Sequence, residues 1–240
     1  MIKFFRKIRQ KLLTENKFTK YLLYAIGEIL LVVIGILIAL RINSWNTNNE
    51  NIALEKVYLE RLKEDHSYNI NEYSFRVNYF ITKKSSIEAY LKGNDGNQSY
   101  SWINFVMAHQ TRTSSYNELL STGSLKIIRD TRLREMLDNL KAFTEHSYRE
   151  LEYLRQFSVL DQKALRSIAQ HDYSIVNDSL IIARSIDIEK LSNAPELKKI
   201  LSNWRKISMM YITALNSLVD RNQKVLNRIE CLQSVNGCED

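Results

Sequence analysis

The sequence predicts an all-α protein: one N-terminal transmembrane helix followed by an elongated antiparallel helical bundle. Three observations carry this. The chain has 240 residues with only one proline and six glycines, too few turn-formers for a fold rich in tight turns. Residues 21–40 form an unbroken apolar run. Beyond it, apolar residues recur at spacings of three and four along three long stretches.

The division that follows is a basic cytoplasmic leader at 1–20, a transmembrane helix at 21–40 and an extracytoplasmic helical domain at 41–240. The length suits one main domain plus an anchor. The net charge of +7 invites a nucleic-acid reading, so its location matters. The leader holds seven basic residues against Glu15 alone, whereas residues 41–240 hold 27 basic and 25 acidic residues. A body this close to neutral lacks the spread of positive charge that a nucleic-acid face requires. No nucleic-acid partner is expected.

The run YLLYAIGEILLVVIGILIAL has 20 residues. At about 1.5 Å of rise per residue it covers roughly 30 Å, the hydrocarbon thickness of a bilayer. A core helix of a soluble protein rarely runs so long without a polar face. A cleavable signal peptide shares the basic leader, but this run is too long for one, and Ile38-Ala39-Leu40 followed by Arg41 lacks a small-x-small cleavage pattern. An uncleaved signal anchor is therefore expected. Basic flanks stay on the cytoplasmic side, which places the N-terminus inside and the body in the periplasm of a bacterial inner membrane, as a single-pass protein. Trp45 marks the outer interface, and Tyr21 and Tyr24 the inner one.

In the leader, Ile2, Phe5, Ile8 and Leu12 recur at helical spacing, with Lys3, Arg6, Lys7, Arg9 and Lys11 over much of the remaining surface. Such a helix would lie in the headgroups against anionic lipid; simple topogenic charge without a stable helix is the alternative. Glu28 is the one residue of the span that hydrophobicity does not explain, because a charged carboxylate among lipid tails costs several kcal/mol. It shares a helical face with Gly35 and Ala39, and small residues allow close helix approach. Self-association, or contact with another membrane protein, is the economical expectation. A proton-carrying role and snorkelling toward the cytoplasmic headgroups are the other two readings.

The leader and span, MIKFFRKIRQKLLTENKFTKYLLYAIGEILLVVIGILIALRINSWN, resemble the start of a family of bacterial single-span membrane proteins, a domain of unknown function abundant in the Bacteroidota. The segment YNELLSTGSLKIIRDTRLREML resembles that family's central motif, a short helix ending at Ser/Thr-Gly before another helix. Arg41 departs from the Gln expected there, which touches only the outer flank. The resemblance implies a membrane location and a helical body; it transfers no activity, cofactor or catalytic residue.

Each element of the body can be placed. From Ile52 to Leu91 the stripe Leu59, Leu62, His66, Tyr73, Val77, Phe80, Ile87, Leu91 predicts one long amphipathic helix, ended by Gly93-Asn94-Asp95-Gly96. His66 within that stripe reads most simply as a core or interface residue. Trp102, Ile103, Val106 and Met107 mark a second helical region, and Tyr116 to Ser121 a short helix that Gly123 ends. Leu125 to Ile128 reads as extended, and Asp130 as the N-cap of a helix from Thr131 to about Ile168. A small strand pair fits around Ser179-Leu180-Ile181-Ile182. The last helix follows Asn193 and Glu196, which have capping-box spacing around Pro195, and its stripe runs from Leu197 to Leu232. Coiled-coil pairing would give the same stripes, so periodicity does not assign the partner of each helix.

Catalytic chemistry is not evident. The four histidines are scattered without HExxH spacing, Ser121-Thr122-Gly123-Ser124 lacks the GxSxG elbow, and phosphate-binding glycine loops are missing. Cys231 and Cys238 flank Asn236-Gly237, where a turn in an oxidising periplasm brings them within reach of a disulfide, and two thiols make a poor zinc site. No cofactor, metal or enzymatic activity is expected. The function that remains is a membrane-anchored periplasmic interaction or sensor-like module, with an accessory subunit of an ion-driven or transport complex, centred on Glu28, as the alternative.

Overall fold

A computed structural model describes residues 18–93, 111–166, 169–176, 179–186, 193–234 and 238. The fold is all-α apart from one hairpin. Its elements are α1 (Phe18–Leu91), α2 (Ser114–Ser121), a short 3-10 helix (Leu125–Ile127), α3 (Thr131–Arg166), strands β1 (Ala169–Val176) and β2 (Ser179–Ile186), and α4 (Pro195–Gln233). Two compact units divide the chain, Met1–Glu55 and Lys56–Asp240.

In the first unit, the apolar stretch of α1 is unburied: residues 31–50 are exposed throughout. Among the described residues α1 is the one helix long and apolar enough to cross a membrane. The leader residues Lys3, Arg6, Lys7, Arg9 and Lys11 lie outside the described residues, as do Trp102 to Met107.

In the second unit, three long helices share a core. Glu60 meets Gln233, His66 meets Asn222, Phe80 stacks on Tyr211 and Lys83 lies over Trp204, so α1 and α4 run in opposite directions. Arg228 meets Asp130, and the Tyr211 hydroxyl donates to the Leu151 carbonyl, so α3 also opposes α4. α1 and α3 are therefore parallel to each other and each antiparallel to α4. Buried positions on α4 include Leu197, Leu201, Trp204, Tyr211, Leu215, Leu218, Val225 and Ile229, the three-and-four spacing read from the sequence.

Local chemistry sets the ends of these helices. At the end of α2, Gly123 has φ +66°. The Ser124 N–H donates to Leu119 O at 2.9 Å and the Gly123 N–H to Leu120 O at 3.1 Å, the paired bonds of a Schellman stop. Asp130 begins α3, its Oδ1 accepting from the Leu133 N–H at 2.5 Å. Its carboxylate also takes the Arg228 guanidinium at 2.6 Å, tying the start of α3 to α4. Burial pushes the Asp130 carboxyl upward, but the bonds from Arg228 and Leu133 outweigh it and hold the group below the usual carboxylate range.

Two expectations are corrected. Leu125 to Ile128 is not extended as a whole: Leu125–Ile127 forms a 3-10 turn, with Ile127 N–H to Ser124 O at 2.9 Å and Ile128 N–H to Leu125 O at 3.2 Å. The Schellman turn leaves the chain curled, and a further tight turn satisfies its backbone while sending Ile128 into the core. Nor does α4 start with a capping box. Pro195 occupies the first helical turn, which puts the N-cap at Ala194, one residue past Asn193, and no side chain caps the helix. The hairpin falls where the strand pair was expected, with Val176 opposite Ser179 and Ala169 opposite Ile186.

Candidate functional site

The bundle core is not continuous. One apolar cluster contains Leu59 and Leu62 of α1, Leu133, Leu137 and Leu140 of α3, and Val225 and Ile229 of α4. A second contains Tyr73, Val77, Phe80 and Ile87 of α1, Leu151 of α3, and residues Leu197 to Leu218 of α4. Between them every long helix turns polar at buried positions: Asp65, His66 and Asn69 after Leu62, Thr144 and Ser147 after Leu140, and Asn222 after Leu218. Apolar side chains there would have fused the two clusters. A buried polar layer costs stability unless its groups are paired, so the pairing in this one is informative.

On α1, Asp65, Asn69 and Tyr73 stand one turn apart on a single face and hold the segment 111–115. Asp65 Oδ2 accepts from the Ser115 N–H at 3.1 Å and the Ser114 hydroxyl at 3.4 Å, serving the start of α2, whose own N-cap, Thr113, makes no side-chain capping bond. Asn69 pairs with the Arg112 backbone in both directions, Nδ2 donating to O and Oδ1 accepting from N, each at 2.8 Å. The Tyr73 hydroxyl meets Thr111 Oγ1 at 3.1 Å and the Tyr148 hydroxyl of α3 at 3.2 Å. The Arg112 guanidinium lies 3.8 Å from the centre of the Tyr68 ring.

This stitching leaves a cavity of about 360 Å³ beside residues 111–113, lined by Asp65, His66, Asn69, Thr144 and Asn222 of the polar layer, by Leu62, Leu137 and Leu140, and by Tyr73, Tyr116 and Tyr148. That volume is in the range of small-molecule sites, and the mostly apolar wall with a few fixed polar groups is their usual composition.

His66 is the group in this lining that its surroundings leave incomplete. The Asn222 amide is oriented by its Nδ2, which donates to Leu218 O at 2.8 Å. Its Oδ1 therefore faces His66 Nδ1, 2.8 Å away, and Nδ1 carries the hydrogen. The remaining nitrogen, Nε2, is buried and has no hydrogen-bond partner among the described residues. Burial pushes the imidazole below its ordinary value, only partly offset by the Asn222 bond and the nearby Asp65 charge. The ring is neutral at pH 7, and Nε2 presents a bare lone pair. Burial also raises the Tyr73 and Tyr148 hydroxyls, which stay protonated donors.

The residues singled out from the sequence lie elsewhere. Glu28 is half-buried and Ala39 exposed on α1, and a side chain at Gly35 would meet nothing within 4 Å. Cys231 and Cys238 are joined as a disulfide, Cα atoms 5.3 Å apart. No group of three metal-ligating side chains exists among the described residues. His66 appeared in the stripe, but Asp65, Asn69, Thr144 and Asn222 were not recognised. A signal was present, since Asn222 interrupts the α4 stripe between Leu218 and Val225 where an apolar residue is due.

Fold and site together define a helical-bundle protein with a candidate N-terminal membrane span and a polar-layered cavity in the bundle. The chain belongs to a family of unknown function (DUF6090), whose sequence profile matches residues 28–193. That stretch holds every cavity residue of α1, α2 and α3, and Asn222 lies beyond it. No curated protein and no solved structure matches the chain.

Proposed function

We propose that this protein is a membrane-anchored binding module of the bacterial inner membrane, its leader cytoplasmic and its bundle periplasmic, with the cavity at the polar layer as its working surface. One observation carries this reading: a 360 Å³ cavity with a mostly apolar wall lies where the bundle core is interrupted, lined by Asp65, His66, Asn69, Thr144 and Asn222. A layer built only for helix register would close this space with side chains rather than leave room for a small molecule. The basic leader supports the inside placement of the N-terminus, and the Cys231–Cys238 disulfide suits an oxidising compartment.

The test is a screen of fluorine-labelled fragments, neutral, cationic and anionic, by ligand-observed NMR against the full chain in lipid nanodiscs. Thr144 is buried in the cavity wall, so Thr144→Phe fills the space. Fragments that bind the wild type and lose binding in Thr144→Phe support the reading. No binding in any charge class, or binding that the filled variant retains, refutes it.

A further inference from the structure

The polar side chains of the cavity lining are nearly out of reach of solvent: Asp65, His66, Asn69, Thr144 and Asn222 are none of them more than 8% exposed. Access to them from outside therefore depends on a part of the wall that moves. Most of the wall is helix, and α1, α3 and α4 are held together by apolar clusters on either side of the polar layer. Residues 111–113 also line the cavity, and they are attached differently. Thr111, Arg112 and Thr113 bring no large apolar side chain, and none of the three is buried. Arg112 directs both its backbone N–H and its carbonyl to one side chain, the Asn69 amide, at 2.8 Å each. The Thr111 hydroxyl meets the Tyr73 hydroxyl at 3.1 Å, and the Arg112 guanidinium rests on the ring of Tyr68, a residue outside the cavity lining. From Ser115 onward the attachment changes: Ser115, Tyr116 and Leu119 are buried, and Asp65 holds the Ser114 hydroxyl and the Ser115 N–H. A segment anchored at one end by packing, and along its length by a few polar bonds, opens at a lower free energy than the core beside it.

We propose that residues 111–113 form a strap, latched by Asn69 and hinged at Ser114 and Ser115, whose release opens the cavity to its ligand. This rests on the binding-module reading above and concerns how that site is entered. The latch is a single amide group, so its two bonds to the Arg112 backbone are lost together. Water entering the opened cavity then serves both the Arg112 backbone and the Asn69 amide, and release strands no buried polar group. The hinge keeps its own hold through Asp65 and through the packing of Tyr116 and Leu119. Asn69 and Tyr73 belong to latch and cavity alike, which ties the position of the strap to the state of the site.

The experiment times alkylation by iodoacetamide in two cysteine variants of the full chain in nanodiscs, where the two native cysteines are joined and do not react. Thr144→Cys puts a thiol in the cavity wall, and Ser208→Cys puts one at a fully buried position of α4 outside the lining. Each is measured with Asn69 intact and with Asn69→Ala. Asn69→Ala is expected to speed labelling of Thr144→Cys by about tenfold, as the loss of two modest hydrogen bonds implies, and to leave Ser208→Cys unchanged. Unchanged rates at both positions overturn the proposal, as does equal acceleration at both in a variant that circular dichroism shows to be folded. Hydrogen exchange in the wild type needs no variant and decides alone should Asn69→Ala not fold. The Arg112 amide should exchange about tenfold or more sooner than the α1 amides from Leu62 to Tyr73, and equal protection overturns the proposal. Neither readout uses a ligand, so a failed fragment screen sinks the module reading without touching the strap, and a failed labelling test sinks the strap without touching the module.

Discussion

His66 Nδ1 and Asn222 Oδ1, 2.8 Å apart, join α1 to α4 at the level where both helices stop being apolar. The bond crosses 156 residues of sequence and sits between two apolar clusters, so it sets the register of the two helices as well as the tautomer of the ring. Replacing Asn222 with Ala leaves a buried N–H without an acceptor and should lower stability by about 1–3 kcal/mol in urea denaturation.

The same ring predicts a pH dependence. Burial holds the His66 pKa below 6.5 in the folded state, whereas the unfolded chain titrates near that value. The unfolded state thus binds more protons as acid is added, and the contribution of His66 to stability is full above pH 6.5 and lost as pH falls through the folded pKa. His66→Gln should flatten the fall of the urea midpoint just below pH 6.5. An equally steep fall in that variant would assign the dependence to other groups.

Asp130 performs two tasks that two substitutions separate. Its side chain caps α3 and pairs with Arg228, both side chains mostly buried, at 15% and 12% exposure. Asp130→Ala should cost about 2–4 kcal/mol, because the cap is lost and the guanidinium is stranded. Asp130→Asn keeps the cap and should recover roughly a third of that loss, since N-caps are worth about 1 kcal/mol. Chemical denaturation of the two variants side by side measures the difference.

At Gly123 the constraint is in the backbone alone. A methyl group there would meet nothing within 4 Å, yet φ is +66°. Gly123→Ala should therefore destabilise by about 1–2 kcal/mol, the left-handed penalty, and Gly123→Asn by less. Thermal denaturation checks the order Gly, Asn, Ala.

Much of this architecture could be read before any coordinates. The stripe from Leu59 to Leu91, the stop at Gly123, the cap at Asp130 and the periodic α4 all depend on contacts within a few residues, and local patterns record such contacts well. The candidate site was less legible. Asp65, Asn69 and Asn222 look like ordinary interruptions of an apolar stripe. What makes them a site is the alignment of three helices, which brings residues 65–73, 144–148 and 222 to one level. The failed expectations have a similar origin. Asn193 and Glu196 have capping-box spacing, but where the helix begins was decided by Pro195. Leu125 to Ile128 carries strand-like residues, but the turn before it chose the curled backbone.

Placement in the membrane gives a further prediction. A C-terminal alkaline phosphatase fusion, active only outside the cytoplasm, should be active, and a cytoplasm-dependent fluorescent fusion at the same position dark. Cys231 and Cys238 should resist maleimide labelling until a reductant is added, as their disulfide requires. A bright fluorescent fusion would reverse the assigned topology.

The account stands most directly on the lone pair of His66 inside the bundle. Imidazole ¹⁵N NMR of the selectively labelled full chain in nanodiscs reads both ring nitrogens with and without a bound fragment. The prediction is a hydrogen on Nδ1, an unprotonated Nε2 at pH 7, and movement of the ring signals when a fragment binds in the cavity that His66 lines. A hydrogen on Nε2 in the free protein, or a bound fragment that leaves the ring signals in place, would contradict the central claim.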